Sequence, residues 1–401
     1  MTQFKQIYVR LMNGMDIKTH RYLYSKLLPD ERIVGVAGQR GVGKTTMMLQ
    51  YLLENGYNTQ NSLYFSADHI YFSEYRLYDY IEKKFLEEGI ELFFIDEIHR
   101  YTGWSQELKN IYDSFPKIRI VFSGSSMLDL IKGEYDMSRR ALLLHLEGVS
   151  FREYLSMKNI FKTDPFTMEE LLNDSVGISE KLSTIPMISG HFKDYLKYGY
   201  YPFSINNVES FSAKLLSIID KTIQIDIAGF YNLKTQNLSL FKQILLFLAT
   251  NPPGEFNIHN LAQSLKIDDK TVVNYLEILI ETGLVTPLFY NSGGHKMLRK
   301  PVKYYLNNSS LYFTLAMESG HEIEIGALRE SFFLSMVKNA GLTPHYSSKG
   351  DFEVKGFTFE VGGKNKKRKQ IKDVERSFVV KDDVLIAQKG EIPLYLFGFL
   401  Y

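Results

Sequence analysis

Short apolar runs alternate with helix-length amphipathic segments over the first 150 residues. Arg32–Ala37, Ser62–Ser66, Leu92–Ile95 and Arg119–Phe122 are β-rich and are separated by connections long enough to hold helices, a spacing that predicts a parallel sheet covered on both faces. A fifth run, Ala141–Leu146, extends that sheet. Ahead of it, Phe4, Ile7, Tyr8 and Leu11, then Tyr22, Leu23 and Leu27, predict two short amphipathic helices within residues 1 to 30.

From Ser150 the period becomes helical, with Phe151–Met157, Met168–Leu172, Ile188–Leu196, Phe211–Thr222 and Leu240–Leu248 as predicted helices and Tyr198–Pro202 as a loop between them. Asn251, Pro252, Pro253 and Gly254 break the pattern. Beyond them Ile258, Leu261, Ala262 and Leu265 form one stripe, Lys266–Asp269 a turn, and Lys270 to Gly283 a second helix, which is a helix-turn-helix pattern. A hairpin-like stretch and a mixed segment from Glu322 complete the chain.

Composition narrows the picture. The chain has 401 residues, enough for several compact units, and its 47 Lys and Arg almost cancel its 46 Asp and Glu, so no whole-molecule field draws in nucleic acid or an anionic surface. A polyanion has to be met by a local patch. The absence of cysteine excludes disulfides, thiolate metal sites and a cysteine nucleophile. Apolar runs such as Ile244–Ala249 fall far short of the ~20 residues that span a bilayer. With no apolar stretch behind Lys5 and Arg10, the expectation is a soluble, cytoplasmic protein without a membrane partner.

Gly38–Thr46 reads GQRGVGKTT, a full match to the phosphate-loop pattern. Gly38, Gly41 and Gly43 leave main-chain N–H groups free to curl around phosphates, Lys44 supplies a cation, and Thr45 offers a hydroxyl to Mg²⁺, with Thr46 beside it at the helix start. A chain of this length meets the pattern by accident roughly once or twice in a hundred, and here it also directly follows a predicted strand and opens a helix. About 50 residues on, the run Leu92–Ile95 ends in Asp96 and Glu97. Asp96 suits the Mg²⁺ site and Glu97 the general base that polarises the attacking water. Ser123–Ser126 end the next strand, making Ser125 a candidate γ-phosphate sensor or, equally, a helix N-cap. Arg139 and Arg140 precede the fifth strand, and Arg140 is the candidate arginine finger, in cis or from a neighbouring subunit.

The segments FIDEIHR at Phe94–Arg100, FSGSS at Phe122–Ser126, SFREYL at Ser150–Leu155 and YLKYGYYP at Tyr195–Pro202 resemble those of the prokaryotic AAA-like, archaeal-type P-loop ATPases. The resemblance implies an α/β P-loop core with a parallel sheet, followed by a helical lid, a winged helix and a small α+β domain similar to PD-(D/E)xK nucleases. It also implies ATP rather than GTP as the nucleotide, with Mg²⁺. The corresponding divisions are residues 1–149, 150–250, 251–318 and 319–401.

Charge decides what the later parts offer. From Asn257 to Gly283, Lys266 and Lys270 are set against Asp268, Asp269, Glu277 and Glu281, a net of about −2 that disfavours groove reading. Lys296, Arg299, Lys300 and Lys303 make the following hairpin a basic wing suited to a phosphate backbone. In the nuclease-like stretch Asp351 and Glu360 stand in the acidic positions and Glu330 is a candidate third ligand, but the lysine expected two residues past Glu360 is replaced by Gly362. Lys364 is the nearest substitute in sequence, and the missing lysine marks the domain as degenerate. The tract Lys364–Lys369 is a further candidate phosphate track for DNA. The resulting expectation is an Mg²⁺-dependent ATPase whose nucleotide state moves the lid and winged helix and acts on DNA or a partner protein. A slow-turnover ATP-bound switch and an ATP-controlled nuclease are the alternatives.

Overall fold

The computed structural model describes residues 3–15, 19–28, 31–124, 137, 139–205, 207–231, 233, 235–253, 257–291 and 301–401. The chain divides into two compact units, residues 1–148 and 149–401.

In the first unit, helix α1 (Gln3–Asn13) buries Phe4 and Tyr8. Phe4 lies with its ring centroid 5.7 Å from Phe65, 5.6 Å from Phe72 and 5.4 Å from Tyr80, an aromatic cluster closing one face of the core. The second N-terminal helix expected from the sequence is instead a three-residue 3-10 turn, Tyr24–Lys26. Arg21 and Tyr22 are held by side-chain bonds to distant main chain, described below, rather than by a helical ladder. Then come β1 (Ile33–Ala37), α2 (Lys44–Glu54), β2 (Ser62–Ser66), α3 (Leu77–Glu88), β3 (Leu92–Asp96), α4 (Trp104–Ser114), β4 (Arg119–Gly124) and β5 (Ala141–His145). The order among the described strands is β2-β3-β4-β1-β5, with every pairing parallel. All five residues of β1 and of β3 are buried, as strands covered on both faces require. Registers Ser66↔Asp96, Ile95↔Phe122 and Ala37↔Gly124 bring the C-terminal tips of β2, β3, β4 and β1 to one edge. In open α/β sheets this edge is where ligands bind.

The second unit opens with helix Phe151–Met157, capped reciprocally by Ser150 and Glu153. Where the sequence predicts a helix end and a loop, the chain widens into a π-helix, Tyr195–Gly199. Gly199 permits it: a Cβ there would lie 2.1 Å from Cδ2 of Tyr195, whose hydroxyl donates to the Val149 carbonyl at 2.6 Å. Helices Ile258–Leu265 and Asp269–Glu281 are capped by Asn257 and Asp268 and joined through Lys266 in the left-handed region, so the helix-turn-helix is present. Strands β6 (Val285–Leu288) and β7 (Lys303–Leu306) pair antiparallel beyond it. Lys296, Arg299 and Lys300 lie outside the described residues, as does Gly254. Lys303 does not belong to a solvent-facing wing, since its side chain is 14% exposed and pairs with Glu330 at 3.5 Å.

Helices Ser309–Ser319 and Ile325–Asn339 lead to a second sheet of order β12-β11-β10-β9-β8. Its strands are β8 (His345–Tyr346), β9 (Phe352–Val354), β10 (Phe357–Gly362), β11 (Ser377–Lys381) and β12 (Glu391–Pro393). β9 and β10 form an antiparallel hairpin, while β11 joins β10 in parallel. No helix among the described residues is long and apolar enough to cross a membrane.

Candidate nucleotide-binding site

The loop between β1 and α2 has the backbone a phosphate cradle needs. Gly43, at φ 97°, is left-handed at the N-cap of α2, a conformation unfavourable to any residue with a Cβ. At Gly38 the constraint is space, because a Cβ would lie 2.4 Å from the Leu146 carbonyl oxygen. Lys44 is buried and its Nζ donates to the carbonyls of Gly38 at 2.7 Å and Gln39 at 2.9 Å. The ammonium is thus held over its own loop by acceptors that a phosphate oxygen can replace. Thr46 is exposed on the first turn of α2.

Asp96 is the hub. It is 4% exposed at the tip of β3, and its Oδ2 accepts from Thr45 Oγ1 at 2.5 Å and from the Tyr64 hydroxyl at 2.9 Å. Its Oδ1 accepts from Ser123 Oγ and from the Glu97 N–H, the latter at 3.0 Å. Burial, then the neighbouring Asp96 carboxylate, pushes the Tyr64 phenol far above its ordinary value, so Tyr64 remains a donor. Because β4 lies between β1 and β3, Ser123 reaches Asp96 from the adjacent strand while Thr45 reaches it from the phosphate loop.

Glu97 follows in the left-handed region at φ 52°, a conformation costing a non-glycine residue roughly 1–2 kcal/mol. Its carboxylate lies 4.0 Å from Arg40 of the phosphate loop and 3.4 Å from His99 Nε2. The turn carries Glu97 off the strand line, while Asp96 stays on it.

A P-loop fold implies a nucleotide and usually Mg²⁺, and the donors present suit that ion. Thr45 and Asp96 offer hard oxygen ligands within one hydrogen bond of each other. Among the described residues no three or more His, Asp or Glu side chains gather to hold a metal unaided.

Arg140 is not brought here. It precedes β5 at the end where Ala141 pairs with Ile33, whereas the phosphate loop leaves the other end of β1, about 13 Å further along the strand. Its guanidinium is engaged by Asp113, at 3.1 and 3.2 Å, so the cis-finger reading does not match the fold. Ser125 lies outside the described residues.

One residue that sequence reasoning passed over ties this site to the end of the unit. Arg21 is 5% exposed and donates to the carbonyls of Val42 in the phosphate loop, Glu147 at 2.7 Å and Gly148 at 2.8 Å. Tyr22 reinforces the clasp, its hydroxyl donating to the His145 carbonyl at 2.8 Å and accepting from the Glu147 N–H at 3.1 Å. Arg21→Ala strands three carbonyls that accept from a charged donor, a loss of about 3 kcal/mol. In scanning calorimetry the expected fall in melting temperature is roughly 6–12 °C, and an unchanged value would show the clasp to be redundant.

Residues 30–155 match a family model described as an AAA domain, and residues 189–322 match one described as a domain of unknown function. The first unit has an AAA-type P-loop fold. An uncharacterized protein of Methanocaldococcus jannaschii is 27% identical over 376 residues, 86% of this chain and 79% of its own length. One from Haemophilus influenzae is 24% identical over 293 residues, 69% of this chain and 67% of that protein. Among solved structures, the Walker-type ATPase of Pyrococcus abyssi aligns over 73% of this chain and 93% of its own at 11% identity and a TM-score of 0.40, a likeness too weak to add functional weight.

In the second unit the acidic residues of the nuclease-like segment do come together, already supplied with partners. Glu360, fully buried, pairs with Lys366 Nζ at 2.6 Å, and the Gln370 amide, oriented to donate, reaches the same carboxylate. Glu330 accepts from the Tyr305 hydroxyl at 2.6 Å and pairs with Lys303, while Asp351 Oδ2 accepts from the Val361 N–H at 2.8 Å. Lys366, not Lys364, takes the place beside Glu360. Its side chain crosses Gly362, where a Cβ would meet Lys366 carbons at 2.6–2.9 Å. Burial and the Asp351 charge raise Glu330, and burial raises Glu360 despite the Lys366 ammonium. Each of the three carboxylates thus has at least one partner within the protein.

Proposed function

We propose that residues 1–148 bind ATP with Mg²⁺ and hydrolyse it, and that the nucleotide state is read out by residues 149–401. The observation that carries this reading is the Asp96 carboxylate, which joins Thr45 of the phosphate loop, Ser123 of β4 and Tyr64 of β2 at the sheet's C-terminal edge. Lys44 holds the β and γ phosphates, trading the Gly38 and Gln39 carbonyls for phosphate oxygens. Thr45 and Asp96 hold Mg²⁺, which when bound neutralises phosphate charge. Glu97 accepts the proton of the attacking water, with Arg40 and His99 fixing its position. The α2 N-terminus adds a partial positive charge of about half a unit. Adenine over guanine, and movement of the helical region and helix-turn-helix as the readout, rest on the family likeness.

The test is steady-state phosphate release with Mg²⁺ and with excess EDTA. Release that stops in EDTA and returns with added Mg²⁺ is the expected result. Full nucleotide occupancy with negligible release in Mg²⁺ would replace the enzyme reading by that of a binding switch.

A further inference from the structure

The basic tract near the C-terminus is organised by the cluster beneath it. Residues 364–372 contain six Lys or Arg and no acid, in a chain whose net charge is only +1. Two of the six are anchors: Lys366 turns inward onto Glu360, and Arg368 donates to Ser377 Oγ at 2.8 Å and to the Val374 carbonyl at 3.4 Å. Lys372 lies 3.9 Å from Asp373 at the tract's far end, where Glu375 is also exposed. Lys364, Lys367 and Lys369 are left displayed to solvent.

Folding adds cations from elsewhere in sequence. Gly350 packs on Ile371, where a Cβ would lie 3.2 Å from Ile371 Cγ2, and this brings the exposed Lys349 to one side. Gly390 packs on the Arg368 guanidinium, where a Cβ would lie 2.6 Å from Nη1, and this brings the exposed Lys389 near the tract as well. Of the carboxylates underneath, Glu330 and Glu360 are each matched by a lysine, and Asp351 accepts from the Val361 N–H.

We propose that Lys364, Lys367 and Lys369, flanked by Lys349 and Lys389, form a surface that holds the phosphate backbone of nucleic acid without cutting it. Recognition by charge alone follows from the make-up of the loop. Its one apolar residue, Ile371, is fully buried, so the loop itself offers nothing to insert into a bilayer or to anchor a protein interface. The second helix of the helix-turn-helix carries acids and contributes no competing groove reader, so binding is independent of sequence.

The experiment is fluorescence anisotropy of the full chain with a labelled 20-base-pair DNA duplex of arbitrary sequence, in EDTA, between 50 and 200 mM KCl. Five phosphate contacts give a slope of log K against log salt of about −4.5, close to a 500-fold loss of affinity over that range. The triple variant K364Q/K367Q/K369Q, altered only at exposed positions, should bring the slope to about −1.8 and the loss to roughly 12-fold. An unchanged slope in the variant, or no binding by the parent at 50 mM, would overturn the proposal. So would equal or tighter binding to vesicles containing 30% phosphatidylserine, or to polyglutamate. Nicking of plasmid in Mg²⁺ or Mn²⁺ that disappears in Asp351→Ala would overturn the non-cutting half. Lys44→Ala should leave the salt slope intact, so failure of the ATPase reading and failure of this one are read separately.

Discussion

Replacing Lys44 by alanine is expected to abolish tight ATP binding. The ammonium is buried, sits on the first turn of α2 and is held by two carbonyls of the loop that would wrap the phosphates. With nucleotide bound, those neutral acceptors give way to phosphate oxygens, and each charge-assisted hydrogen bond is worth about 1.5–3 kcal/mol. Losing two of them costs about 3–6 kcal/mol, a weakening of roughly 10²–10⁴ in dissociation constant. Titration calorimetry at millimolar Mg²⁺ measures it directly. Lys44→Met, which keeps most of the buried stem, should lose nearly as much, because the contribution comes from charge rather than packing. A dissociation constant within threefold of the parent for either variant would remove Lys44 from the site.

The sheet was legible because its signal is local. Strand-length apolar runs separated by helix-length connections identify β1 to β5 within one or two residues, and the glycine-lysine-threonine spacing identifies the loop. What sets the partners of Asp96 is not local. Tyr64 reaches it from β2 through the pairing of Ser66 with Asp96, and nothing in the stretch SLYFS announces that its tyrosine faces a carboxylate. The cis-finger reading of Arg140 fails for the same reason. Its position before a strand says nothing about which end of the sheet that strand enters, and the Ala141↔Ile33 register settles it. Arg21 sits among apolar residues in a segment that resembles an amphipathic helix, and only the return of Glu147 and Gly148 past the phosphate loop gives its guanidinium acceptors. Near Glu360 the miss was two residues. A loop that folds back across Gly362 delivers Lys366 where linear spacing favoured Lys364.

Glu97→Gln should separate binding from chemistry. The substitution keeps the shape of the side chain and the main-chain N–H that bonds Asp96, so nucleotide affinity is expected to stay within threefold of the parent. It removes the carboxylate that the proposed mechanism uses to accept a proton from water, and a positioned general base contributes about 10²–10⁴ in rate. Turnover should therefore fall by at least ~100-fold while phosphate-loop contacts persist. Asp96→Asn provides the contrast: with the carboxylate that receives Thr45, Ser123 and Tyr64 neutralised, Mg²⁺-dependent affinity and turnover should fall together. Single-turnover hydrolysis, with enzyme in excess over ATP, reads the chemical step free of product release. If Glu97→Gln hydrolyses at the parent rate in that assay, the left-handed turn at φ 52° serves only to seat Asp96, and the base must be sought elsewhere along the same edge.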